Sequence, residues 1–103
     1  MPSSTSLSSA STIQIEFFGV VRQRAGCSQA VLSFSQFPVS FSEVLQALGQ
    51  QFPGFAQDCL NAEGHLPPGY LANLNADRFL TSGEETVLQA GDSLLIFSAD
   101  AGG

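Results

Sequence analysis

The sequence predicts an α+β domain, a mixed sheet with one main helix packed on one face. Three observations carry that expectation. Short segments of strand character lie on both sides of a single longer stretch of helical periodicity. The chain has 103 residues, the length of one domain, and no internal repeat. It is 44% hydrophobic and 12% charged, enough apolar surface for a core and unlike the composition of a disordered chain.

The first strand is residues 13–20, IQIEFFGV, where Ile13, Ile15 and Phe17 alternate with Gln14 and Glu16. Residues 20–24 open a turn or helical loop, and residues 25–28 hold the turn residue Gly26. Residues 29–34, QAVLSF, form a second strand, giving a hairpin whose connection is longer than a tight two-residue turn. Ser40 or Ser42 caps the helix, because a serine oxygen accepts a bond from an unpaired N–H of the first turn. Glu43 stands three residues after Ser40, the spacing of a capping box. Phe41, Val44, Leu45, Leu48 and Phe52 then recur at three and four, one apolar stripe that Pro53-Gly54 ends. Residues 55–60 add at most one further helical turn.

Residues 61–69 read as a loop through Gly64, Pro67, Pro68 and Gly69. Residues 70–75, YLANLN, are a third strand, and residues 78–80 a brief strand or bend. Residues 82–85 turn at Gly83, Val87–Leu88 are apolar, and Ala90-Gly91-Asp92 turn again. Ser93–Ser98, SLLIFS, is the last strand. The first and last strands, both apolar, are expected side by side at the centre of the sheet. That arrangement is a β-grasp. The expected organisation is a disordered leader over residues 1–12, the domain over 13–98, and a flexible tail over 99–103.

Charge narrows the partners. Net charge is −6, there is no lysine, and the strong cations are Arg22, Arg24 and Arg78. Nucleic-acid binding needs a basic stripe that releases counterions, so no nucleic-acid partner is expected. An anionic membrane repels such a chain, and no run of apolar residues is long enough to span one. An acidic surface suits basic protein partners or serves solubility alone. Residues 1–12 are rich in Ser and Thr without a basic residue or an apolar run, unlike a signal peptide. Cys27 and Cys59 form neither a CxxC nor a metal-ligand cluster. They read as free thiols in a reducing compartment, and a cytoplasmic location is expected.

The terminal pair Gly102–Gly103 is the sharpest chemical feature. At an average usage of about 7% glycine, two in a row at a terminus arise by chance in about 0.5% of chains. Lacking Cβ atoms, they can thread a narrow channel and let another backbone approach closely. A carboxylate at such a tip is suited to conversion into an acyl adenylate in a partner's ATP site, and then into a thiocarboxylate. An inert tail ending in two glycines is the plain alternative. His65 stands alone in a loop, and Glu84, Glu85 and Asp92 read as turn acids on a solvated face. No Ser/His/Asp set, P-loop, zinc spacing or dinucleotide fingerprint occurs.

IEFFGVVRQRAG (15–26), QQFPG (50–54), LANLN (71–75) and LQAGDSLLIF (88–97), followed by the final AGG, resemble one family. They are similar to the molybdopterin synthase small subunit and its relatives among the ubiquitin-like sulfur carriers, over residues 13–103. The resemblance implies a ubiquitin-like β-grasp fold, adenylation of Gly103 by an E1-like enzyme, and a Gly103 thiocarboxylate. It implies no bound cofactor, ATP being used by the activating partner. It further implies a large synthase subunit, or another sulfur-accepting enzyme, that receives the tail residues Ala99, Asp100 and Ala101 with Gly102. The sulfur then passes to the pterin precursor of the molybdenum cofactor. Phe97, and with it Phe79, is the expected hydrophobic docking surface. On that reading the chain is the non-catalytic carrier subunit of a sulfurtransferase. Ser98 and Ala99 stand where members of that branch often carry two prolines, and Asp100 puts a charge in the tail. The loop 65–69 and TSGEET (81–86) are similar to carriers supplying sulfur for cysteine synthesis, and thiamine-pathway carriers share the glycines. A ubiquitin-type modifier joined through Gly103 to target lysines fits the same fold and tail.

Overall fold

The computed structural model describes residues 11–80 and 86–99. Alternation in the first strand becomes burial: in β1, Thr12–Phe17, the side chains of Ile13, Ile15 and Phe17 are buried while Gln14 and Glu16 are exposed. β1 is shorter than the sequence suggests, because Gly19 at φ 65 turns the chain into a short helix, α1, Val20–Ala25. β2, Gln29–Ser33, returns antiparallel to β1.

α2, Phe41–Gln51, begins at Ser40 for the expected reason. Glu43 N–H donates to Ser40 Oγ at 3.0 Å, and Ser40 N–H donates to Glu43 Oε1 at 3.0 Å, a closed capping box. The helix buries Phe41, Val44, Leu45 and Leu48. Pro53 does end α2, but it also opens α3, Pro53–Cys59. Proline lacks the N–H that a first helical position leaves unpaired anyway, so a stop for one helix is a start for the next. The sheet is therefore covered by one main helix and two short ones. Phe52, on the expected stripe of α2, sits at the junction, its ring centroid 5.6 Å from that of Phe17. Phe55 of α3 also meets Phe17, its ring tilted by 45° with the centroids 5.5 Å apart. Gly54 is required here: a Cβ on it would lie 2.5 Å from the Arg24 carbonyl oxygen, so α1 and α3 meet closer than any other residue permits.

β4, Tyr70–Leu74, β5, Arg78–Leu80, and β7, Ser93–Ser98, complete a five-stranded sheet of order β2-β1-β7-β4-β5. β1 and β7 are parallel at its centre and the other pairs are antiparallel. A second sheet, unforeseen in the sequence, pairs β3, Val39–Ser40, with β6, Val87–Leu88. Two-residue strands give no periodicity to detect. The turn expected at 82–85 lies outside the described residues. One core fills the space between the five-stranded sheet and the helices, and no described polar or charged residue is buried. Among the described residues no helix is long and apolar enough to cross a membrane.

Candidate functional site

β7 decides which apolar residues are core and which are surface. Leu94 and Ile96 point to the helices and are buried, whereas Leu95 and Phe97 lie half-buried on the opposite, uncovered face. Register assembles their neighbours. Phe97 is opposite Leu71 and Leu95 opposite Asn73 on β4, and Asn73 in turn is opposite Phe79 on β5. Phe79 is 59% exposed, and its ring meets that of Phe97 edge-on at 6.1 Å. The two residues expected to dock a partner are thus brought together.

Phe18 is a third member that the sequence reading left inside the first strand. Its N–H donates to the Ile96 carbonyl at 3.1 Å, one step past the last registered pair of β1 and β7, Phe17 with Ile96. That step puts Phe18 level with Phe97, and it is 63% exposed. The signal was present in the sequence: two adjacent phenylalanines on an alternating strand cannot both face the core. Phe18, Phe97, Leu71 and Phe79 make an apolar area at the end of the open face where β7 finishes. Isolated exposed apolar residues mean little, whereas neighbouring ones on one open face form a candidate contact surface.

The same end holds Ala99, the first residue of the expected tail. Ala99 N–H donates to the Gly69 carbonyl at 2.6 Å, continuing the pairing of β7 with β4 beyond Tyr70 and Ser98. Ala99 is exposed beside that bond. Asp100, Ala101, Gly102 and Gly103 lie outside the described residues, as do Glu84 and Glu85.

The far end of β7 is clamped. Asp92, expected to be a solvated turn acid, accepts from Gln89 N–H at 2.8 Å and from Asn75 Nδ2 at 3.1 Å. Asn75 Oδ1 accepts from Ser93 N–H at 2.8 Å. Gly91, at φ 90, donates its N–H to Thr12. Asp92 therefore ties the turn before β7 to the β4–β5 turn, a structural role that chain spacing alone does not reveal because its partner is 17 residues away.

Other reactive groups stand apart from this site. Cys59 is fully buried, and burial first, then the charge of Asp58, pushes its thiol up to about 11 against a weaker opposing pull from Arg24. Cys27 is half-buried and free. His65 Nε2 lies 3.5 Å from Ser42 Oγ, away from the aromatic group. Among the described residues no group of His, Cys, Asp and Glu could hold a metal ion.

No family model and no curated protein matches the sequence. Solved structures do match the fold. The small archaeal modifier protein SAMP1 of Haloferax volcanii superposes with a TM-score of 0.73 at 22% identity, covering 89% of this chain and 99% of that one. Urm1 of Trypanosoma brucei gives 0.65 at 22% identity, over 90% of this chain and 96% of its own. A Pyrococcus furiosus protein assigned as molybdopterin converting factor, subunit 1, gives 0.63 at 17% identity, over 85% of this chain and 97% of its own. The central parallel pair, the flanking hairpins and these superpositions together establish that the chain has the ubiquitin-like β-grasp fold.

Proposed function

We propose that this protein is a ubiquitin-like sulfur carrier whose working group is the carboxylate of Gly103. The observation that carries the reading is the aromatic surface of Phe18, Phe97 and Phe79 lying at the very end of the sheet from which Ala99 leads into the Gly-Gly tail. Fully extended, the four residues beyond Ala99 reach at most about 14 Å, so the proposal requires the docked partner's catalytic centre to lie within that distance of Ala99. The carboxylate attacks the α-phosphate of ATP in an E1-like enzyme, releasing pyrophosphate, and a hydrosulfide-level sulfur nucleophile then attacks the acyl carbon and displaces AMP to leave the thiocarboxylate. Binding on the aromatic surface makes the delivery effectively intramolecular.

Within this class we favour molybdopterin synthesis, with the chain as small subunit of the synthase. The sequence motifs and the likeness to a protein assigned as molybdopterin converting factor support it. A modifier role, with Gly103 joined to target lysines, is the second reading. It is favoured by the likeness to proteins called small archaeal modifiers.

Intact-mass analysis of the protein purified from its native cells tests both. Exchange of one terminal oxygen for sulfur adds about 16 Da. That increment on the C-terminal peptide is the expected result, and reconstitution with candidate large subunits then assigns the pathway. Adducts on lysines of other proteins, without the increment, would establish the modifier instead. Neither modification would leave a binding domain.

A further inference from the structure

The two edges of the five-stranded sheet are built differently. β5 is three residues long and carries the charge of Arg78. Short length and charge are the ordinary protections of an exposed edge. β2 has five residues, Gln29–Ser33, with no charge and no proline, and its five-pair register with β1 is unbroken by a bulge.

The hydrogen-bond phase of β2 is fixed by its ends. Phe17 N–H donates to Ser28 O at 2.9 Å, and Phe34 N–H to Ser11 O at 3.0 Å. Even-numbered residues from 28 to 34 therefore turn their backbone groups toward β1, and Gln29, Val31 and Ser33 turn theirs away from the sheet. None of those outward groups has a protein partner among the described residues. Val31, at the centre of this edge, is 55% exposed.

Beside the edge runs a trough of about 500 Å³ across the open face, from Gln29 and Val31 to Asn73 and Asn75. Glu16 is its single charged residue, and register puts Glu16 directly beside Gln29, one strand in from the edge. The trough lies toward the Asn75 end, away from the aromatic group at Phe97.

We propose that β2 accepts an extended segment of a partner protein as a sixth strand, through Gln29, Val31 and Ser33, and that an arginine or lysine of that segment reaches across Gln29 to Glu16. Strand addition satisfies the outward backbone groups, and the exposed valine offers a cross-strand contact to an apolar residue of the guest. Glu16 lies two strand spacings, about 10 Å, from the added strand, a span that an arginine and a glutamate side chain cover together. A second copy of this chain is disfavoured as the guest. It brings a further net charge of −6, and its own β2 has no cation for Glu16. This interface is independent of the proposed tail chemistry.

The test is a titration of the isotopically labelled full chain with a capped nine-residue peptide of alternating valine and threonine bearing one central arginine. A matched peptide with glutamate at the centre is the control. The expected result is amide shifts and added exchange protection at Gln29, Val31 and Ser33, and binding about two- to fivefold weaker for Glu16→Gln. Val31→Pro removes an outward N–H while sparing the β1 ladder, and is expected to weaken both peptides at least tenfold. Should that variant not fold, Val31→Lys keeps the backbone and should reverse the preference toward the glutamate peptide. Shifts confined to Phe79 and Phe97, an unchanged affinity in these variants, no binding at millimolar peptide, or dimers joined through β2 would each overturn the proposal.

Discussion

Leu94 and Ile96 share a strand with Leu95 and Phe97, alternate with them, and belong to the same apolar class, yet the first pair is buried under helices and the second faces outward. The difference is made by what covers each face. α2 and α3 lie on one side of the sheet with Phe41, Leu45, Leu48 and Phe55, and no described element covers the other. Stability and recognition are thereby separated by one residue along one strand. The covered face tolerates little change because its core is close-packed. The open face is the one assigned to a partner in the function proposed above.

The sharpest way to break the comparison is to truncate neighbours. Ile96→Ala should cost about 2–5 kcal/mol, since it opens a cavity in the core. Phe97→Ala should cost under about 1 kcal/mol in the isolated protein but weaken association with an activating enzyme or acceptor. Equal midpoint shifts in urea for the two variants would refute the division of β7 into a structural and a docking face.

Alkali probes the covered face next. The buried Cys59 thiol titrates at about 11 in the folded chain, against 9.0 as its ordinary value. Its contribution to stability is complete below pH 9 and is lost as the pH rises toward 11, because only the unfolded thiol ionises readily in that window. The loss should reach about 2–3 kcal/mol relative to Cys59→Ala, in which this component vanishes. Parallel urea curves for the two proteins between pH 8 and pH 11 would show the burial of Cys59 to be unimportant.

Gly54→Ala drives a methyl group into the Arg24 carbonyl, and the helices must separate. A cost of about 1–3 kcal/mol is expected, read as a lower thermal midpoint. An unchanged midpoint would mean that α1 and α3 are not held at this spacing. The smallest effect is a gain. Ala76 has φ 58 in the β4–β5 turn, a region that disfavours a side chain. Ala76→Gly should therefore stabilise by about 0.5–1 kcal/mol, the strain relieved outweighing the greater freedom that glycine loses on folding. A destabilised variant would show that the left-handed turn carries no strain.

Much of this was legible residue by residue. The alternation at Ile13, Ile15 and Phe17 specified β1, the Ser40–Glu43 spacing specified the start of α2, and apolar SLLIFS specified β7. Each is a local signal whose physics lies within a few residues. Less was legible where the partner is distant. Asp92 reads as an ordinary turn acid until Asn75 is seen to meet it. Pro53-Gly54 reads as a stop until the chain is seen to restart as α3, with the glycine chosen for a crossing 30 residues back at Arg24.

By itself, then, the sequence determined the class of fold, the run of strands and helix, the acidic balance, and the Gly102–Gly103 pair whose chemistry is proposed above. The tertiary structure alone decided which face of β7 is open among the described residues, that Phe18 joins Phe79 and Phe97 at the Ala99 end of that strand, and that β2 lies at the edge of the sheet. Periodicity tells a strand that it has two faces, but only the packing of helices against one of them says which face is left to meet another molecule.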